Sequence, residues 1–274
     1  MKEKIRICLL IILAVVFVIS TALLLRQFGD NIGGQDAYGA ALAIASGTGS
    51  REERKPDITE TTEPVKQASI WIPAAVEEDP RMEEMAAIDL AALREVNEDV
   101  VGWIRIPDTK IDYPLMQGED NDYYLKHTWD GRSTSVGSIF LEHLNSPDLM
   151  DYNTIVYGHN MNDGSMFAGL RRYTTQEYWE SHPYVYMLTD AGVYRYEIFA
   201  SYRADVDSVT YGLSFNQTET KVNFLQYALE KSKIQTEIML GRNDRILTLS
   251  TCSGSGYTTR WVVQARLKMI EVQQ

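Results

Sequence analysis

The sequence predicts a mostly β fold, a closed barrel of about eight strands with peripheral helices, preceded by an N-terminal transmembrane helix. Many short segments alternate apolar and polar residues and are separated by Gly, Pro, Asn and Asp. Few of these segments are joined by the long helical crossovers that parallel sheets require. An uncharged apolar run stands near the N-terminus. The chain has 274 residues, 45% of them hydrophobic, which is enough for one or two domains.

The apolar run covers residues 7–25 and is long enough to cross the hydrocarbon core as a helix. Three basic residues precede it and one follows, which favours a cytoplasmic N-terminus and an exported chain. An uncleaved anchor is favoured over a signal peptide, whose apolar region is shorter. We therefore expect residues 1–6 in the cytoplasm, residues 7–25 as a single-pass anchor in the cell membrane, and the remaining chain outside the cell.

Residues 26–80 are predicted to form a flexible spacer that is rich in Gly and acidic residues. The formal net charge of the chain is −12, and the segment 52–99 alone holds 14 acidic and 5 basic residues. In the remainder of the chain the numbers of acidic and basic residues are nearly equal. Because no basic surplus is available to neutralise phosphates, nucleic acids are excluded as general partners.

Residues 81–274 are predicted to form the folded domain. Apolar residues recur at helical spacing over 85–100, and a second amphipathic helix is predicted over 219–233. The other predicted elements, in order, are strands 101–107, 111–116, 137–142 and 154–158, short helices 165–173 and 175–181, strands 184–189 and 193–202, and a closing hairpin over 246–270.

The closing hairpin carries Cys252 at its turn and Arg260 eight positions later. If the two strands pair, both residues come to the same end of the sheet, and a fixed positive charge stabilises a thiolate. The alternative is a small buried thiol beside a solvated strand-end charge. The other cysteine, Cys8, lies in the apolar run, so no disulfide is expected and Cys252 is a candidate reactive thiol.

A cysteine nucleophile needs a proton partner that comes from elsewhere in the chain. His159 directly follows the predicted strand 154–158 and begins a loop, a position at which catalytic residues are common. His127 and His143 lie in polar loops, and His182 stands at the end of a predicted helix. A plain loop histidine is the alternative for His159. The histidines are not at metal-ligand spacing, so no metal or cofactor is predicted.

Three motifs together resemble the sortase family of Gram-positive cell-surface cysteine transpeptidases. They are Tyr-Gly-His-Asn-Met at 157–161 with Asp-Gly-Ser-Met-Phe at 163–167, Thr-Leu-Ser-Thr-Cys at 248–252, and the following Arg260. The start Val-Gly-Trp-Ile-Arg-Ile at 101–106 and the helix before the cysteine strand resemble class B members. The similarity spans about residues 88–270.

This resemblance implies a sortase-type β-barrel and a membrane-anchored extracytoplasmic enzyme whose catalytic residues are His159, Cys252 and Arg260. Cys252 would attack the threonine carbonyl of a C-terminal sorting motif in secreted proteins, of the type Asn/Ser-Pro-x-Thr-Asn/Gly. Arg260 would stabilise the oxyanion and His159 would protonate the leaving amine. A peptidoglycan precursor of the lipid II type would accept the acyl group. Gly254 stands where some class B members carry an acidic residue, so no carboxylate is expected to orient the three.

The same resemblance places the substrate pocket near the loop 208–215, with Thr210 and Tyr211 as candidate substrate-binding residues. Ser250 and Thr251 are further candidates, although strand packing is an equal alternative for both. Three other functions stay open for the chain. They are a pilin-polymerising sortase, a membrane-anchored cysteine hydrolase and, least favoured, a non-enzymatic surface domain in which Cys252 is merely buried.

Overall fold

A computed structural model describes residues 2–47, 79–252 and 258–271, apart from the side chains of residues 2–11, 27, 28, 31 and 252. Eight strands are present in the described part: β1 (Val100–Arg105), β2 (Asp112–Met116), β3 (Ile139–Leu141), β4 (Asn153–Gly158), β5 (Tyr184–Thr189), β6 (Gly192–Asp205), β7 (Ile246–Cys252) and β8 (Thr259–Glu271). The helices are α1 (Lys2–Ala45), α2 (Pro80–Ala86), α3 (Leu90–Arg94), α4 (Gln176–Ser181) and α5 (Thr218–Lys231), with 3-10 turns at Tyr123–Leu125, Phe167–Thr174 and Val209–Tyr211.

The strands close into a barrel in the order β1-β2-β3-β4-β7-β8-β6-β5. The pairs β2/β3 and β4/β7 are parallel, and the other pairs are antiparallel. The predicted closed barrel of about eight strands with peripheral helices is confirmed. Large side chains such as Trp103, Tyr196 and Leu249 are 0% exposed in the core. Closure removes the free strand edges that an open sheet would present.

The helix predicted over residues 85–100 is wrong as a single element, because the chain forms α2 and α3 there instead. Asp89 separates them, since its carboxylate accepts a hydrogen bond from the Ala92 amide at 2.9 Å and starts the second helix. The chain then enters β1 at Val100, so Val96 faces solvent at 51% exposure rather than the core.

Residues 26–45, predicted as the start of a flexible spacer, continue α1 instead. Ala37, Tyr38, Ala41 and Ala45 recur at helical spacing and are buried in the domain core. Gly34 makes this contact close, because a Cβ there would lie 2.6 Å from a methyl carbon of Val136. Burial of this stripe explains why a glycine-rich segment stays helical. Residues 48–78 of the predicted spacer lie outside the described residues.

The predicted transmembrane helix over residues 7–25 is not found. Among the residues described, none of the helices combines the length and apolar character that crossing a membrane requires.

Candidate active site

Three neighbouring strands bring the predicted catalytic residues to one rim of the barrel. In the parallel pair β4/β7, Gly158 lies opposite Thr251, and His159 and Cys252 come next along the two strands. In the antiparallel pair β7/β8, Cys252 lies opposite Arg260. The cysteine backbone therefore stands between the histidine strand and the arginine strand. The Cys252 side chain and the loop 253–257 lie outside the described residues.

A cleft of about 190 Å³ opens at this rim. Its lining residues are Asn121, Leu125, Phe140, Tyr157, Gly158, His159, Ser250, Thr251 and Arg260. The cleft thus joins two of the predicted catalytic side chains with two of the predicted substrate-binding residues. Its walls combine an imidazole, a guanidinium and hydroxyl groups with apolar surface, as small-ligand and peptide sites commonly do.

The His159 ring is positioned by backbone atoms of a neighbouring loop. Its Nε2 lies 2.7 Å from the carbonyl oxygen of Leu125. Because a carbonyl oxygen only accepts, Nε2 carries a proton in this bond. In the neutral ring Nδ1 is then the unprotonated nitrogen and the one that exchanges a proton. Gly137 lies against the same ring, since a Cβ there would be 2.8 Å from His159 Cδ2.

Arg260 is partly buried, and its Nη1 donates to the carbonyl oxygen of Thr259 at 3.1 Å. Tyr157 is its electrostatic neighbour in the cleft. Burial first, and then the charge and hydrogen bond of Glu142, raise the pKa of Tyr157 far above its usual value, while Arg260 acts against them. The Tyr157 hydroxyl therefore stays protonated and donates to Glu142 Oε2 at 3.0 Å.

Glu142 is a buried carboxylate, 5% exposed, behind the polar wall of the cleft. Its Oε2 also accepts from Asn121 Nδ2 at 2.7 Å, and its Oε1 lies 2.7 Å from His143 Nδ1. Sequence reasoning missed Tyr157, Asn121 and Glu142. The alternation of a strand could have found Tyr157, which stands two residues before His159 and so points to the same face.

The predicted substrate-binding residues differ in their placement. Ser250 and Thr251 line the cleft, although each is only 1% exposed, and Ser250 Oγ shares a hydrogen bond of 2.9 Å with the Tyr211 hydroxyl. Tyr211 is therefore brought to the cleft wall. Thr210 is 0% exposed, and its hydroxyl lies 3.1 Å from the Tyr202 hydroxyl in a buried contact.

The turn that carries Thr210 and Tyr211 is anchored to the cleft strands by Asn153, the first residue of β4. Its Nδ2 donates to the carbonyl oxygens of Thr210 at 3.1 Å and Gly212 at 2.9 Å. Its Oδ1 accepts from the Thr248 hydroxyl at 2.6 Å. One buried amide thus connects β4 and β7 to the turn that precedes α5.

The other histidines have contacts of their own. The His127 ring stacks on Tyr123 at 4.0 Å, and the His182 ring stacks on Tyr178 at 4.2 Å. His143 pairs with the buried carboxylate behind the wall. In the part of the chain that the structure describes, no three His, Cys, Asp or Glu side chains are grouped to hold a metal ion.

Comparison with known proteins shows the family of the chain. A family model described as the sortase domain matches residues 104–268, which is more than half of the chain. The chain therefore belongs to the sortase family, and it is a transpeptidase of class B.

Sortase B of Listeria monocytogenes is 40% identical over 181 residues, covering 65% of this chain and 74% of the relative. A Staphylococcus aureus sortase B–substrate complex is similar in structure, with a TM-score of 0.64 and 30% identity over 70% of this chain and 90% of that one. Sortase B from B. anthracis in complex with AAEK1 has a TM-score of 0.67 and 30% identity, covering 90% of this chain and all of that one. The residues matched by the family model, 104–268, include all of those that line the cleft.

Proposed function

We propose that this transpeptidase cleaves a C-terminal sorting motif of secreted proteins, of the type Asn/Ser-Pro-x-Thr-Asn/Gly, after the threonine. The acyl group then passes to an amine of a peptidoglycan precursor of the lipid II type. The observation that carries the proposal is the register that sets Cys252 opposite Arg260 and one strand from His159. The similar Staphylococcus aureus sortase B forms a substrate complex, which supports a peptide substrate here.

In the first half-reaction the Cys252 thiolate attacks the carbonyl carbon of the motif threonine. Its electron pair forms the C–S bond, and the carbonyl oxygen becomes an oxyanion beside the Arg260 guanidinium, whose donors and fixed charge stabilise it. The C–N bond then breaks. The departing amine takes a proton from Nδ1 of the His159 imidazolium, because Nε2 remains bonded to the Leu125 carbonyl.

In the second half-reaction the acceptor amine attacks the thioester carbonyl. His159 Nδ1, now unprotonated, takes a proton from the attacking nitrogen, and Cys252 leaves as the thiolate. A new amide bond is formed, and the starting protonation states return. The cleft beside Tyr157 and Ser250 would hold the peptide during both steps, with Tyr211 supporting one wall and Thr251 the other.

The test uses the whole chain with a quenched peptide that carries the motif, with and without an amine acceptor. We expect amine-dependent ligated product, detected by mass. Cleavage to the free acid alone would favour the cysteine hydrolase, and a product formed only with a protein lysine would favour the pilin-polymerising sortase. Cys252→Ala and His159→Ala should abolish ligation, and His182→Ala serves as the matched histidine control. Full activity of Cys252→Ala would refute the proposal, and the absence of any cleavage or ligation by the wild type would favour a non-enzymatic surface domain.

The role of Arg260 has its own test. Arg260→Lys keeps a positive charge but loses the planar fork of donors, so kcat should fall by roughly a hundredfold or more. Arg203→Lys is the control, since Arg203 lies on the adjacent strand β6 and is exposed. A rate for Arg260→Lys that equals the control would exclude the oxyanion role.

We propose a location in the cell membrane with the catalytic domain outside the cell. The support is the uncharged run 7–25 with basic residues before it. Alkaline extraction of membranes from cells that express the tagged whole chain, with protease treatment of intact cells, tests it. Recovery of the chain in the soluble cytoplasmic fraction would refute this location.

A further inference from the structure

The catalytic ring of His159 is supported by two pieces of backbone that belong to one loop. Leu125 supplies the carbonyl that faces Nε2, and Gly137 packs on the ring edge at Cδ2. The loop 123–138 is closed on itself, because the Ser138 amide donates to the Tyr124 carbonyl at 2.8 Å and the Ser138 hydroxyl donates to the His127 carbonyl at 2.8 Å. A shift of this loop would therefore move both supports of the ring together.

The outer side of this loop is covered by α1. The Tyr38 hydroxyl donates to the Gly137 carbonyl and lies 3.2 Å from Ser138 Oγ. One residue earlier, the Ala37 carbonyl accepts a hydrogen bond of 2.8 Å from Trp129 Nε1. Tyr38 is 5% exposed and Ala37 is 0% exposed, so these contacts are made in the interior. The helix thus fixes the loop at the glycine that touches the histidine ring.

The helix also reaches the loop that follows His159 on its own strand. Gln35 Nε2 donates to Asp163 Oδ2 at 3.0 Å. The Tyr38 ring packs edge-on against Tyr113, with ring centroids 5.1 Å apart, and the Tyr113 hydroxyl accepts from the Met166 amide at 3.0 Å. Both chain segments that surround the ring are therefore bonded to about one turn of α1, residues 35–38.

We propose that residues 34–38 of α1 belong to the catalytic apparatus, and that Tyr38 is a positioning residue that holds Leu125 and Gly137 against the His159 ring. This inference rests on the proposed catalytic role of His159. A helix that lies before the barrel in sequence would then control the geometry of proton transfer without touching the substrate. Because productive geometry depends on small distances, loss of this support is expected to slow the chemical step more than substrate binding.

The chain offers a matched pair of variants. Tyr38→Phe keeps the ring and removes only the hydroxyl, with its bonds to the Gly137 carbonyl and to Ser138 Oγ. Tyr194→Phe removes the same type of bond, from a hydroxyl to the Asp148 carbonyl at 2.8 Å, at a side chain that is 1% exposed. Tyr194 lies opposite Ile270, at the far end of β8 from Arg260. Both variants should lower the melting temperature to a similar extent. A difference in kcat between them would then result from the location of the lost bond and not from a loss of stability.

We expect Tyr38→Phe to lower kcat of ligation roughly tenfold or more with KM nearly unchanged, and Tyr194→Phe to leave both constants near the wild-type values. The second readout is the Nε2–H proton resonance of His159 in 15N-histidine-labelled whole chain, assigned by its loss in His159→Ala. This signal should broaden or shift in Tyr38→Phe alone. Equal kcat values for the two variants, or an unchanged resonance in Tyr38→Phe, would overturn the proposal.

Failure of the positioning role of Tyr38 can be distinguished from failure of the proposed function. If His159→Ala retained the wild-type rate, the proposed function would fail, whereas the Nε2–H resonance would still report whether Tyr38 holds the ring. If His159→Ala is inactive and Tyr38→Phe matches its control, only the positioning role fails. Gln35→Ala is a further variant, which removes the exposed hydrogen bond to Asp163. It should lower kcat by a smaller factor than Tyr38→Phe.

Discussion

The carbonyl oxygen of Leu125 lies 2.7 Å from Nε2 of His159, and this contact places the proton of a neutral ring on Nε2. The acceptor is a backbone atom, so no side-chain substitution at position 125 removes it. The contact is sensitive to anything that moves the loop on which Leu125 lies. The geometry of this contact is therefore best tested by adding an atom where the backbone packs against the ring, rather than by removing a side chain.

Gly137→Ala is such a change. Gly137 has a φ of 63°, and a Cβ there would lie 2.8 Å from His159 Cδ2 and 2.7 Å from the Tyr124 carbonyl oxygen. We expect kcat/KM of ligation to fall by roughly a hundredfold, because the ring or the loop must shift. Gly131→Ala is the control, since its φ is 80° but a Cβ there meets nothing within 4 Å. It should cost about 1 kcal/mol of stability and little activity. Similar activities for the two variants would contradict the tight packing of the ring.

Glu142→Gln tests the polar wall of the cleft. Glu142 Oε2 accepts from both Asn121 and Tyr157, while Oε1 faces His143 Nδ1. An amide carries no charge and replaces one of these two oxygens by a donor, so the hydrogen bonds to the cleft side chains are weakened. We expect KM for the sorting peptide to rise roughly tenfold, since Asn121 and Tyr157 are held less firmly in the cleft wall. Glu197→Gln breaks an ion pair with Arg266 at 2.9 Å elsewhere on the barrel and should leave KM unchanged. An unaltered KM in Glu142→Gln would show that the wall does not contact the peptide.

The bond between Tyr211 and Ser250 is suited to a double-mutant cycle, because the two hydroxyls lie 2.9 Å apart. Tyr211→Phe and Ser250→Ala should each raise KM a few-fold, since the turn that carries Tyr211 is loosened from β7. The double variant should cost little more than either single variant, giving a coupling of about 1 kcal/mol. Strict additivity of the two effects on KM would indicate that the bond does not act in substrate binding.

The ion pair of Asp79 and Arg195 gives a prediction for stability against pH. Arg195 Nη1 lies 2.9 Å from Asp79 Oδ2, and the side chains are 4% and 9% exposed. Burial raises the pKa of Asp79, but hydrogen bonds from Tyr186, Arg195 and the Arg81 amide outweigh burial and hold this pKa below its ordinary value. Since the folded-state pKa is the lower one, the stabilisation is complete above the unfolded-state value and is lost as pH falls through the folded-state value.

Asp79→Asn should therefore lower the free energy of unfolding by about 3 kcal/mol at pH 7, because it leaves a buried guanidinium without its charge partner. The difference from the wild type should shrink below the unfolded-state pKa of about 3.9. Chemical denaturation at a series of pH values measures both. Asp190→Asn is the control, since Asp190 pairs with Arg94 at 75% exposure. A difference that grew on acidification would contradict the assigned sign.

The sequence was sufficient to predict most strands, because alternation in a barrel wall is a local signal. The predicted strand 154–158 and the helix 219–233 agree with β4 and α5 within one or two residues. The sequence was not sufficient to predict which strands are neighbours in the barrel. The parallel pairing of β4 with β7 depends on closure of the whole barrel, and no local pattern contains it.

The part of α1 after residue 25 was missed because its glycines are typical of a spacer. The buried stripe Ala37, Tyr38, Ala41 and Ala45 is visible in the sequence as helical spacing, but alanine gives a weak hydrophobic signal. Gly34 has the composition of a flexible spacer, but in the structure it allows close packing on Val136. Composition alone could not distinguish these two uses of glycine.

Within the site, His159 and Arg260 were identified from their positions at strand ends, and both line the cleft. Asn121 and Leu125 come from an irregular loop and act through a side-chain amide and a backbone carbonyl. Neither role is visible in the sequence. A backbone carbonyl is present in every residue, and an asparagine in a loop is common. Such contacts depend on the tertiary path of the loop.

The parallel pair β4/β7 has a consequence for the order of events after synthesis. Asn153 and Thr248, bonded across this pair, are 95 residues apart in the chain. Pairings of such long range carry a large loop-closure cost and form slowly. The histidine and cysteine strands meet only when β7 inserts between β4 and β8. A newly made chain therefore lacks this cleft until its barrel closes, because β4 and β7 both contribute residues to the cleft lining.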